Sequence, residues 1–204
     1  MGLILKYTEG QTPIDEDEKA GLLIPSVMTR RDLDEVEQRN IEEAVRWTLQ
    51  RRKRWLPNEM LSERFIKDVH HRMLGGVWKW AGHFRNSNKN IGVDKYQIGI
   101  ELRRLLDDAQ YWVEHQTHGE EEIAIRFKHR LVSIHCFANG NGRHSRLMAD
   151  IMIEKLFGQK IFTWGAKETQ ADLVKAGNSR MSYINALRQA DDGNYDPLLL
   201  FARS

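Results

Sequence analysis

Ser133–Arg146 reads SIHCFANGNGRHSR, and this stretch decides how the rest of the chain is read. A Gly-Asn-Gly turn at 140–142 is followed by Arg143 and Arg146, and His135 precedes it. On either side lie apolar stretches with helical spacing, EEEIAIRFKHRLVSIH before and RHSRLMADIMIEKLF after. The loop CFANGNG therefore sits at a helix N-terminus, where free backbone N–H groups and the positive end of the helix dipole favour an anion. Glycines let a phosphate approach the backbone closely. Arg143 and Arg146 are three residues apart and share a face of the first turn, where cations oppose the dipole unless an anion is present. Two guanidiniums and a row of amides make a polyphosphate site, with Asn141 adding an amide inside the loop. His135 stands at its lip, able to take a proton from a hydroxyl.

Working outward, most of the chain has helical period. TRRDLDEVEQRNIEEAVRWTLQRRKRW places Leu33, Val36, Ile41, Ala44, Val45 and Leu49 on one stripe, closed by Pro57. NEMLSERFIKDVHHRML reads as one helix with Leu61, Phe65, Val69 and Met73 on its stripe. IELRRLLDDAQYWVEH and NSRMSYINALRQA are further helices, and DPLLLFA a short turn. Only His83–Ile100, HFRNSNKNIGVDKYQIGI, mixes turn formers with alternating β-formers and reads as a small hairpin. Residues 1–28, with Pro13 and Pro25, have no clear period and are expected to form an irregular arm. The fold class is mostly α with one β-excursion.

The motif resembles the signature of the Fic (filamentation induced by cAMP) family, His-Pro-Phe-x-(Asp/Glu)-Gly-Asn-Gly-Arg-x-x-Arg. WAGHFRNSNKNIGVDKYQI is similar to that family's β-hairpin flap, and MSYINALRQADDGNYDPLLLF to its C-terminal helix, so the likeness spans Arg64 to Phe201. The fuller pattern, with LDEVEQRNI, resembles the bacterial subgroup known as mobile mystery protein B. The resemblance implies a Fic-type helical bundle over 29–204 with a hairpin flap before the active-site loop. It implies a protein adenylyltransferase that moves AMP from ATP, with Mg²⁺, to a Ser, Thr or Tyr hydroxyl of a target protein. His135 would be the general base. Asn141, with the backbone of Gly140 and Gly142, would form the anion hole, and Arg143 and Arg146 would hold the β- and γ-phosphates. Ile91, Gly92 and Val93 would align the target by main-chain pairing.

Two positions depart from the signature. Cys136 replaces Pro, and Asn139 replaces the acidic residue that contacts Mg²⁺ in the family; a carboxamide ligates Mg²⁺ without the charge. The alternative is a Fic-fold nucleotide-binding regulator with weak activity, or transfer of another nucleotide or group. The inhibitory motif Ser/Thr-x-x-x-Glu-Gly/Asn is absent in that form: Glu9 precedes Gly10, but Leu5 stands where Ser or Thr is required. An inhibitor would come from a partner chain or from a divergent glutamate in the Leu33–Trp47 helix.

The remaining features are bland. Lys+Arg 31 against Asp+Glu 29 gives a net charge of +2, no general pull towards nucleic acid or anionic membrane. Arg51–Arg54 is read as a solvated helix end. His115 and His118 have no third ligand nearby, and His70 and His71 point apart on a helix. The tryptophans read as core. No apolar run reaches membrane-spanning length, and the single cysteine fits a reducing compartment, so the expected location is the cytoplasm.

Overall fold

The computed structural model describes residues 13–50, 55–165 and 173–204. Its elements in order are α1 (Glu16–Lys19), α2 (Arg30–Val45) with a π-helical turn at Arg46–Gln50, α3 (Pro57–Met60), α4 (Glu63–Leu74), a 3₁₀ turn (Lys95–Gln97), α5 (Ile98–His115), α6 (Glu120–Ile134), α7 (Asn141–Lys155), α8 (Leu173–Asp191) and α9 (Asp196–Arg203). Arg51–Arg54 lies outside the described residues.

The core is built around α7. Residues on every side of it are buried, from Asn141 and His144 through Leu147–Ile153, as expected of a helix enclosed by others. α6 folds back on α7, α5 packs on α6, and α4 lies across α7 and α2. α8 and α9 form a hairpin that rests on α6. Phe127, Phe137, Trp78, Ile66 and Met73 are fully enclosed between these layers. Trp55 and Trp78 are buried; Trp47, Trp80, Trp112 and Trp164 are half-buried against the same core.

Three details differ from the sequence reading. The single helix expected over 58–74 is two, because Leu61 leaves helical geometry at ψ 55° and Ser62 caps α4 by accepting from the Phe65 amide. The C-terminal turn is a two-turn helix, α9, with Pro197 in its first turn. The β-hairpin flap is not formed. Among the described residues of His83–Ile100 there is no strand. The reason lies in where the backbone groups find partners. The Arg85 amide donates to Cys136 O at 2.9 Å and the Val93 amide to Ile134 O at 3.3 Å, so both arms pair with the loop motif and not with each other. Asn88 Oδ1 accepts the Lys95 amide and Asp94 Oδ1 the Tyr96 amide, which starts the 3₁₀ turn.

Residues 13–28 pack on the body as an arm that includes the short helix α1. Ile14, Glu18 and Val27 are buried, and Leu22 forms an isolated antiparallel bridge with Trp78. Lys89, from the 83–94 loop, pairs with Asp15 at 2.7 Å and Glu18 at 2.6 Å.

Candidate active site

His135 is the residue after α6 and takes a left-handed conformation, φ 57° and ψ 58°. The chain reverses there, which brings residues 136–140 under the start of α7. The loop is held from within. Asn141 is buried; its Oδ1 accepts the Phe137 amide at 2.9 Å and its Nδ2 donates to Phe137 O at 2.8 Å. Its carboxamide is thus committed to loop shape, and what faces outward at the helix start is backbone. Gly140, the N-cap at φ 78°, has no room for a Cβ, which would meet Leu74 Cδ1 at 2.7 Å. Gly142 differs: a Cβ there would meet no protein atom within 4 Å, so the first turn opens onto free space.

His70, read from sequence only as one of two diverging histidines, supports this loop from α4. Its Nε2–H donates to Asn139 O at 3.0 Å, its Nδ1 accepts the Gly82 amide at 2.9 Å, and its ring stacks on Phe137 at 3.7 Å. His144 donates from Nε2 to Ile66 O at 3.0 Å. Burial pushes the His135 and His144 imidazoles down from 6.5 to about 4 and drives His70 well below 6.5. His135, only 4% exposed, is therefore neutral at pH 7, the form that accepts a proton. Cys136 is no rival nucleophile, since burial pushes its thiol up to about 12.

Arg143 and Arg146 lie on α7 as the spacing requires, but in different surroundings. The Arg143 guanidinium pairs with Glu37 Oε2 at 2.7 Å. Glu37, on α2, is only 2% exposed, and its other oxygen accepts the Trp78 indole N–H at 2.7 Å. Arg146 lies over the Tyr183 ring at 5.8 Å. Tyr183 in turn accepts from Lys128 Nζ at 2.5 Å, a fully buried lysine whose burial drives it well below its usual range.

The residues around Asn139 do not suit a protein-held Mg²⁺. Its Oδ1 accepts the Gly140 amide at 2.6 Å and faces the Arg143 guanidinium at 3.5 Å. A carboxamide oxygen already used by an amide and beside a cation is a poor seat for an ion that prefers carboxylates. Among the described residues no group of three His, Cys, Asp or Glu side chains is placed to hold a metal, His115 and His118 included.

The segment Ile91–Val93 lies against His135. Gly92, at φ 98°, would put a Cβ 2.5 Å from His135 Cβ. Val93 has its amide on Ile134 and its carbonyl on Arg85, while Ile91 is 48% exposed and faces outward. Glu37 and Arg85 were missed by sequence reasoning as particular residues. Only the general expectation of a glutamate in the Leu33–Trp47 helix pointed to the first, and nothing in the string marked the second.

Residues 60–153, from α3 through most of α7, match the Fic/DOC family model. The match covers just under half of the chain. The chain is 24% identical over 148 residues to Protein adenylyltransferase Fic of Aedes aegypti, covering 71% of this chain and 27% of the relative. It is 26% identical over 141 residues to the protein of the same name from Drosophila virilis, covering 67% of this chain and 26% of the relative. The chain thus spans about a quarter of the length of these curated relatives. The Fic fold extends past the matched residues. The BepC effector of Bartonella tribocorum, solved with bound AMPPNP, superposes with a TM-score of 0.67 at 17% identity, over 93% of this chain and 97% of that one. The N-terminal Fic domain of a Bartonella quintana cell filamentation protein, solved with bound ADP, gives 0.64 at 20% identity over 88% and 86%.

Proposed function

We propose that this chain is a protein adenylyltransferase that moves AMP from ATP to a Ser, Thr or Tyr hydroxyl of a target protein. The observation that carries it is the first turn of α7, open at Gly142 and lined by Arg143 and Arg146, with neutral His135 at its lip. The names of the curated relatives and the nucleotides of the Bartonella structures support the reading.

In this reading the α7 amides receive the α-phosphate, and Arg146, with Arg143 once freed from Glu37, holds the β- and γ-phosphates. The target hydroxyl attacks the α-phosphorus. Its proton passes to His135, the Pα–O bond to the β-phosphate breaks, and pyrophosphate leaves with the bonding pair. A triphosphate beside His135 would raise its basicity from about 4, bringing it nearer to the working range of a general base. No step is assigned to Mg²⁺. The target segment would pass Ile91 and continue along a groove of about 380 Å³ lined by Val93, Ser133, Ile134, His129 and Tyr195.

Glu37 is our candidate for the built-in inhibitory glutamate, because it occupies the guanidinium that the triphosphate needs. It meets the first arginine of the motif, whereas the family's inhibitory glutamate meets the second. We also propose that the functional unit runs over 29–204 with residues 1–28 as an arm, that it belongs to the mobile mystery protein B subgroup, and that it works in the cytoplasm.

Calorimetric titration of ATP and AMP into Arg146→Ala tests the site. Loss of a charge-assisted contact should weaken ATP by about ten- to a hundredfold while AMP, lacking the outer phosphates, changes little. Equal loss of both nucleotides would assign Arg146 to loop integrity instead. Labelling with ATP in bacterial lysate, compared with His135→Ala, tests the transfer. The second reading, a nucleotide-binding regulator with little catalysis, is favoured by Asn139. If Asn139→Asp labels proteins that the native chain does not, the native chain is a weakened enzyme; if neither labels but ATP raises Tm, the regulator reading prevails.

A further inference from the structure

Arg85 is buried, and among the described residues it pairs with no carboxylate. Nearly all its donors go to backbone carbonyls. Nε donates to His135 O at 2.7 Å, one terminal nitrogen to Ser87 O at 2.8 Å and Asn88 Oδ1 at 3.5 Å, and the other to Val93 O. Its own amide donates to Cys136 O at 2.9 Å. One rigid plane therefore fixes the separation of two carbonyls, that of His135 and that of the last residue of the 91–93 segment. The left-handed backbone at His135 is strained and persists only where surrounding contacts determine it; the Arg85 fork is such a contact.

We propose that Arg85 is a positioning residue that locks the segment aligning the target, Ile91–Val93, and the base His135 into one frame. The proposal rests on the adenylyltransferase reading of His135. A target drawn onto the segment is then placed against the base without a separate ordering step. The same cation has a second effect. The charged groups that depress His135 are Arg85 and Lys89, and Lys89 is matched by Asp15 and Glu18. After burial, Arg85 is the next cause that keeps the imidazole neutral.

Arg85→Gln and Arg85→Lys, beside the wild-type chain, provide the test. Hydrogen exchange over residues 86–94, the NMR titration of the His135 ring and calorimetry with ATP are measured on each. In Arg85→Gln the Val93 amide should exchange about tenfold faster or more. The His135 midpoint should rise from about 4 towards 6.5, and ATP affinity should hold within about threefold. Arg85→Lys keeps the charge but not the fork, so it should restore most of the midpoint and leave the segment loose. If glutamine abolishes the folded state, lysine carries the exchange test alone. Unchanged exchange over 86–94 in the folded variants overturns the proposal. A wild-type chain that neither binds ATP nor labels protein, while the variants loosen as expected, sinks the nucleotide reading and leaves the lock standing.

Discussion

Gly92 is the residue with least freedom near the candidate base. Its φ of 98° is strained for any other residue, and the missing Cβ is the space that His135 Cβ fills. Gly92→Ala should cost about 2 kcal/mol or more and abolish labelling while leaving ATP affinity close to wild type, since the atoms a Cβ there would meet first belong to His135, Arg85 and Ile134 and not to α7. Thermal melting and ATP calorimetry on one preparation check both parts; a variant with normal Tm would show that the loop moves aside. At this scale the sequence was legible where chemistry is local. The order His135, Gly140, Asn141, Gly142, Arg143, Arg146 places each residue by its neighbours alone. The role of the Asn141 side chain was not legible, because the same amide can face a ligand or the Phe137 backbone, and only the turn decides.

Among the elements, α2 has the largest consequence for the site. It lies outside the matched residues, yet it delivers Glu37 between Trp78 and Arg143. A buried carboxylate with two partners tolerates replacement of its charge better than loss of its partner. Glu37→Gln should keep the Trp78 contact, free Arg143, and strengthen ATP binding by about tenfold, a charge-assisted bond being worth about 1.5 kcal/mol or more. Arg143→Ala, by contrast, strands Glu37 and should lose about 3–5 kcal/mol of stability, most of it recovered in the Glu37→Gln, Arg143→Ala double variant. Melting curves of the three variants, with ATP titrations of the stable ones, check the pattern; an unchanged ATP affinity in Glu37→Gln would remove the inhibitory role. Helix positions were readable from their apolar stripes, whereas the hairpin was not. Its alternating residues have β-propensity, but their partners came from residues 134–136, far away in sequence.

The whole molecule encloses several titratable groups whose effects on stability oppose each other. His135 and His144 have folded values near 4 against 6.5 when unfolded, and His70 is also depressed. Between these values the unfolded chain binds protons that the folded chain refuses, so stability falls as pH drops from 6.5 to about 4. Asp150, held by the Trp164 indole and the Phe162 amide, has its carboxyl pushed up to about 7 by burial. It is protonated in the folded chain where the unfolded one is ionised, and its contribution fades as pH rises from about 4 to 7. Chemical denaturation across pH 4–8 should show a loss on the acid side that His144→Gln reduces and a loss towards pH 7 that Asp150→Asn removes. No change in either variant would mean that these groups stay accessible to water. No local pattern revealed this: His70 and His144 read as ordinary helix residues until α4, α7 and the loop enclosed them together.

The arm contact at Lys89 has a practical meaning for anyone who trims this protein. Its ammonium is nearly inaccessible and is neutralised by Asp15 and Glu18. A version cut to the matched residues 60–153 would strip Lys89 of both carboxylates and of the arm that covers it, loosening the loop that Arg85 fastens to His135, and would also discard Glu37. Such a fragment combines a released Arg143 with an unsupported loop, two alterations that act in opposite directions on turnover. Its rate would describe the fragment and should not be read as the rate of the intact chain.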